Sequence, residues 1–142
     1  MTETENISGK LKSLLEDYHF NAETLAKYLS VSVENMNEIA RGNMEKLPDG
    51  WVERTRVINK IMFLAFIPEG SPDLKVKAFL EVLLSYHKLS KETVAKMAGI
   101  EISDLDDFLS DEVEMMDIDI KYKIASVTMA LRFFLKDNES EQ

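Results

Sequence analysis

The chain is 142 residues long, 45% hydrophobic and 30% charged, the composition of a globular protein with one domain or two small ones. Its 17 Lys and Arg stand against 26 Asp and Glu, and the net charge of -9 opposes nucleic acid or anionic membrane over most of the surface. No cysteine is present, which excludes disulfides, thiolate metal sites and a cysteine nucleophile.

The opening MTETENISGK is acidic and polar, unlike a secretory leader. The longest apolar run, IMFLAFI at 61–67, is far short of the roughly 20 residues that span a bilayer. A cytoplasmic protein with no membrane partner is expected. The first predicted helix covers 8–19, where Leu11, Leu14, Leu15 and Tyr18 recur at three and four. Asn21 is placed to cap a second helix over 22–29, and Ser32 a third over 33–41. A fourth, over 51–67, follows LPDG, with Trp51 expected as its packing anchor. The cluster IPEGSPD at 67–73 marks a boundary. Ser71-Pro72, an N-cap followed by proline at the first helical position, opens a fifth helix over 72–87. Ser90 caps a sixth over 91–98, and two more follow over 102–110 and 118–136. No segment alternates with the period of a strand, so the expected fold class is all-α. The segments 61–67 and 124–135 are apolar on every side, which predicts burial on every side. The two are expected to pack on each other inside the chain, joining the copies, with a homodimer seam expected besides.

The chain also repeats itself. ETLAKYLSVSVENMNEIA (23–40) aligns without gaps to ETVAKMAGIEISDLDDFL (92–109). Leu25, Ala26, Lys27 and Val31 match Val94, Ala95, Lys96 and Ile100, while Met36 and Ile39 match Leu105 and Phe108. Upstream, LLEDYHF (14–20) resembles LLSYHKL (83–89) with one residue of slippage at the Tyr-His pair. Duplication is the economical reading. It gives a first unit over 1–67, a linker over 68–73 and a second, acidic unit over 74–142.

The segment LAKYLSVSVENMNEI (25–39) resembles the helix-turn-helix of phage-repressor-like (Xre/Cro-type) transcription regulators. The family places an alanine inside the first helix, a small turn residue four later, an apolar residue next, and another apolar residue six after the turn. Ala26, Ser30, Val31 and Met36 fill those places, as do Ala95, Gly99, Ile100 and Leu105 in the second copy. The resemblance implies two tandem four-to-five-helix units packed together, with a DNA-binding role. Two helices crossing steeply need a small side chain where they approach, and the turn residue favours φ > 0.

In this family the exposed face of the second motif helix enters the major groove. Carried over, that face is Ser32, Val33, Glu34, Asn37 and Glu38, with Arg41 at the helix end and Lys27 beside it. Asn37 is suited to an adenine edge and Ser32 to a phosphate, with Lys10, Lys12 and Lys46 framing the site. Glu34 and Glu38 oppose a polyanion. In the second copy the same places hold Glu101, Ile102, Ser103, Asp106 and Asp107, and no Lys or Arg occurs from Met97 to Ile120. That copy is expected to keep the packing and not to touch DNA. Its acidic face, 101–119, is either a solvated surface or a docking face for a protein partner through Glu101, Ile102, Asp106 and Asp107. Docking is preferred to imitation of DNA's charge because Val113, Met115 and Met116 lie in the same stretch. The leading expectation is a transcription regulator that contacts double-stranded DNA through its first unit. The alternative is an anti-repressor-like adaptor that never binds DNA.

Other chemistry leaves no mark. His19 and His87 are read as structurally equivalent aromatics, with no further metal ligands spaced near them. DLDDFLSDE (104–112) lacks the glycine of a calcium loop and puts Phe108 at a ligand place. No glycine-rich phosphate loop, nucleophile elbow or paired acid and base is visible, so neither an enzyme nor a cofactor is expected.

Overall fold

Short polar residues set most of the helix starts. The computed structural model describes residues 3–139, with side chains from Asn6 onward, and within these residues it is all-α, without a strand. The chain divides into two compact units, Met1–Glu69 and Gly70–Gln142, separated within the IPEGSPD cluster.

Unit 1 contains α1 (Glu3–Glu16), α2 (Ala22–Leu29), α3 (Val33–Ala40) and α4 (Trp51–Phe66), with a 3-10 turn over Met44–Lys46 before α4. The Asn21 side chain accepts from the Thr24 N–H at 2.9 Å and Ser32 Oγ from the Asn35 N–H at 3.0 Å, caps worth about 1 kcal/mol each. α1 begins at Glu3 rather than residue 8, because Ile7 extends the inward stripe of Leu11 and Leu14 by a turn. It ends at Glu16 rather than 19, and His19 takes φ +56 in the link to α2. α1 packs against α3 and α4, and α2 against α3 and α4. The core is closed by Leu11, Leu25, Leu29, Met36, Ile39 and Ile61, all essentially solvent-free. Lys60 ties α4 to the end of α2, with its Nζ donating to the Tyr28 carbonyl at 2.8 Å and lying 4.9 Å from the Tyr28 ring centre. Burial pushes the Tyr28 phenol upward from its ordinary range.

Unit 2 contains α5 (Pro72–Ser85), α6 (Lys91–Ala98), α7 (Ile102–Leu109) and α8 (Ile118–Leu135), again with a 3-10 turn, Val113–Met115, before the last helix. Ser71 and Ser90 cap α5 and α6 through their hydroxyls. α8 carries the unit: α5, α6 and α7 all pack on it. Leu80, Val94, Leu105, Phe108 and Ile124 form a core that shares no residue with that of unit 1.

Several expectations are corrected. Trp51 is not a packing anchor: it is 79% exposed. The inward stripe of α4 is Val57, Ile61 and Ala65, and Trp51 falls on the adjoining face with Arg54, Thr55 and Ile58. The apolar ends of α4 and α8 are not buried on every side, since Phe63, Phe66 and Ile67, and likewise Met129, Phe133 and Phe134, are exposed. The two histidines are not equivalent either. His19 is exposed, and the residue of unit 2 with the same left-handed backbone is Lys88, at φ +57.

His87 instead belongs to a clasp at the end of unit 2. Arg132 Nε and Nη2 donate to the two Glu139 carboxylate oxygens at 2.7 Å each, and His87 Nε2 lies 2.9 Å from Oε2. The Arg132 guanidinium foremost, then the His87 ring, hold the Glu139 carboxyl at about 2, below its ordinary 4.5, against an opposing effect of burial. A depressed carboxyl stabilises the fold fully above pH 4.5 and ceases to do so as pH falls toward 2. Glu139→Gln should therefore lower unit 2 stability near pH 7 by on the order of 1–2 kcal/mol after solvent screening. The difference from wild type should vanish on acidification, as thermal melts across that range would read. A deficit independent of pH would contradict the clasp.

Candidate nucleic-acid interface

Two backbone turns build the motif. α2 ends at Ser30 with φ +60 and ψ +40, and α6 ends at Gly99 with φ +71 and ψ +37, both left-handed. The following amides reach back identically: the Val31 N–H donates to the Ala26 carbonyl at 3.1 Å, and the Ile100 N–H to the Ala95 carbonyl at 3.0 Å. Glycine adopts this conformation without strain, whereas Ser30 carries a Cβ penalty on the order of 1 kcal/mol. Ala26 and Ala95 are buried where the paired helices approach. Met36 and Leu105 are fully buried beneath the second motif helix of each unit, so both α3 and α7 are fixed from below.

In unit 1, Glu34, Asn35, Asn37, Glu38, Arg41 and Lys46 line one open groove of about 420 Å³ on the outer side of α3. The structure thus gathers five of the expected residues: Glu34, Asn37, Glu38 and Arg41 on α3 and at its end, and Lys46, expected to frame the site, from the 3-10 turn. Asn35 was missed, although it lies one turn before Glu38 on the edge of the same face. Ser32 and Lys27 are exposed but outside this groove. Ser32 Oγ accepts the Asn35 N–H, which leaves its hydroxyl proton for a phosphate or base edge. Val33 is half-buried against the core and helps seat α3. Arg41 Nη1 donates to Glu38 Oε1 at 2.7 Å, so one carboxylate holds the main cation of the groove while the remaining guanidinium N–H groups stay available. Lys27 and Lys46 make no ion pair among the described residues. Lys10 and Lys12 point elsewhere, 4.0 Å from Glu69 and Glu16 respectively.

The matching surface of unit 2 is built of acids. Glu101, Ile102, Ser103, Asp106 and Asp107 are all exposed on α7 or at its start. Asp104 is structural, its Oδ2 accepting the Glu101 N–H at 3.1 Å. One feature here was not legible in the linear sequence. Lys91, from the first turn of α6, donates to Asp106 at 2.8 Å, and Lys77 of α5 reaches the Ser110 carbonyl at 3.4 Å. Two cations from other elements thus border a stretch that carries none of its own.

Among the described residues, no cluster of three or more His, Cys, Asp or Glu is arranged to hold a metal ion, and no helix is long and apolar enough to cross a membrane. Neither a curated protein nor a solved structure matches the chain. A family model described as a helix-turn-helix domain matches residues 2–141, and the chain belongs to that family.

Proposed function

We propose that unit 1 is the DNA-reading module of a phage-repressor-like (Xre/Cro-type) regulator, and that unit 2 is its diverged copy, serving assembly or partner binding. Membership of the helix-turn-helix family supports a DNA-binding regulator in general. Duplication draws support from the constant spacing of unusual features: left-handed His19 and Ser30 are matched by Lys88 and Gly99, and capping Asn21 by Ser90.

The contrast between α3 and α7 carries the division of labour. The α3 face offers Asn37, the Ser32 hydroxyl and the cations Arg41, Lys46 and Lys27, a set able to read an adenine edge and hold phosphates. The α7 face offers Glu101, Asp106 and Asp107, each of which costs about 1 kcal/mol against a nearby phosphate in high dielectric. Only unit 1 therefore gains from the counterion release that underlies affinity for duplex DNA.

The alternative, an adaptor acting through the acidic face 101–119, has its own observation. Glu34 and Glu38 share the α3 groove, and Glu38 already engages Arg41. A mobility shift separates the two. Combined Lys27→Ala and Arg41→Ala should weaken duplex association and reduce the slope of log K against log salt by roughly two, if both residues meet phosphates. An unchanged shift, or no wild-type binding at low salt, would transfer the case to the adaptor.

A further inference from the structure

Each unit carries a groove beside its first helix, its 3-10 turn and the start of its last helix, and in unit 2 Phe108 of α7 lines it as well. In unit 1 it lies between α1, the 3-10 turn and the start of α4. Ile7 and Leu47 form its floor, Ile58 and the exposed Trp51 its wall, and Arg54 and Asn59 its polar rim, around about 380 Å³. In unit 2 the counterpart lies between α5, the second 3-10 turn and the start of α8. Val76, Met116, Ile118 and Tyr122 line it, and Lys121 stands where Arg54 stands relative to the helix start.

The two grooves differ in one electrostatic respect. In unit 2 the cation is already satisfied: Lys121 Nζ donates to Asp73 Oδ2 at 2.9 Å, and both side chains are largely covered. In unit 1 Arg54 has no acidic partner among the described residues. The nearby Glu53 folds back over Gly50, where it would meet any added Cβ, and does not line the groove. A chain of net charge -9 thus places a guanidinium with no acidic partner among the described residues beside its single tryptophan, 79% exposed, at the mouth of a hollow of mixed polar and apolar lining.

We infer that the unit 1 groove binds a small amphipathic organic acid, with its carboxylate on Arg54 and its apolar body against Trp51, Ile58 and Leu47. Guanidinium geometry suits a carboxylate bidentately, and the volume lies within the range of small-ligand sites. The apolar body would remove the Trp51 ring from water, which is the source of affinity in such a site. In unit 2, Asp73 already meets the corresponding cation, Lys121. The inference stands independently of duplex binding.

Trp51 makes the test direct, because its emission reports this groove alone. Full-length protein is titrated with phenylacetate, 4-phenylbutanoate and octanoate, and with the uncharged amide of each, following emission and heat. At least one acid should give a saturable blue shift with a dissociation constant below about 1 mM. Its amide should bind at least about tenfold more weakly, and Arg54→Gln should show the same loss while keeping wild-type helicity. Three outcomes overturn the assignment: no saturable response to any acid, equal binding of acid and amide, or an Arg54→Gln protein that binds as wild type does.

Discussion

Ile39→Asp should unfold unit 1 and abolish association with duplex DNA. Ile39 is fully buried on the inner side of α3, directly beneath the helix that would lie in the major groove. A carboxylate there has no partner among the surrounding core residues Leu11, Leu25, Leu29, Met36 and Ile61. Burying it ionised costs several kcal/mol, comparable with the whole stability of a small domain. The α1–α4 amides should lose protection from hydrogen exchange, and no mobility shift should remain at low salt. Retained binding by a variant with unprotected unit 1 amides would place the DNA contact elsewhere in the chain.

Phe108→Ala is the complementary case. Phe108 is 1% exposed and heads the fully buried side chains. It closes the α7 side of a core with Leu80, Val94, Leu105 and Ile124. Truncation removes most of an aromatic ring and leaves a cavity, an expected loss of about 3–5 kcal/mol. Because the two cores have no residue in common, the loss should fall on the amides of α5–α8 and spare those of α1–α4. Duplex binding by unit 1 should persist under conditions where its amides stay protected. Loss of binding with unit 1 still protected would give unit 2 a direct share in the DNA contact.

The pair of variants follows a division that is partly legible in the sequence. Local signals were sufficient to place the eight α-helices of the described residues, though not the ends of α1 or the 3-10 turns. Asn21, Ser32 and Ser90 fix helix starts through a side chain and an amide three residues away, and Ser71 does so at two, distances at which tertiary context matters little. The left-handed turns at Ser30 and Gly99 were likewise written locally, in a small residue followed by an apolar one. What escaped depends on elements far apart in the chain. The Lys91–Asp106 pair spans 15 residues, Lys121–Asp73 spans 48 and His87–Glu139 spans 52, and no periodicity encodes such meetings. Trp51 was misjudged for a related reason. Its size argues for burial, but its angular position on α4 relative to Val57 and Ile61 turns it outward. The candidate site shows the same split. The α3 face and Lys46 beside it were readable from the sequence, whereas the place of Asn35 in the groove and the engagement of Arg41 by Glu38 were not.

In the proposed division of labour one helix-turn-helix reads DNA while its acidic counterpart does not. Amide chemical shifts of the labelled full-length protein, followed while a duplex of random sequence is added at low salt, test it most directly. Shifts should concentrate between Lys27 and Lys46, including Ser32, Asn37 and Arg41, while Glu101 through Ser110 stay in place. Shifts centred on α7, or a duplex that moves neither α3 nor α7, would contradict it.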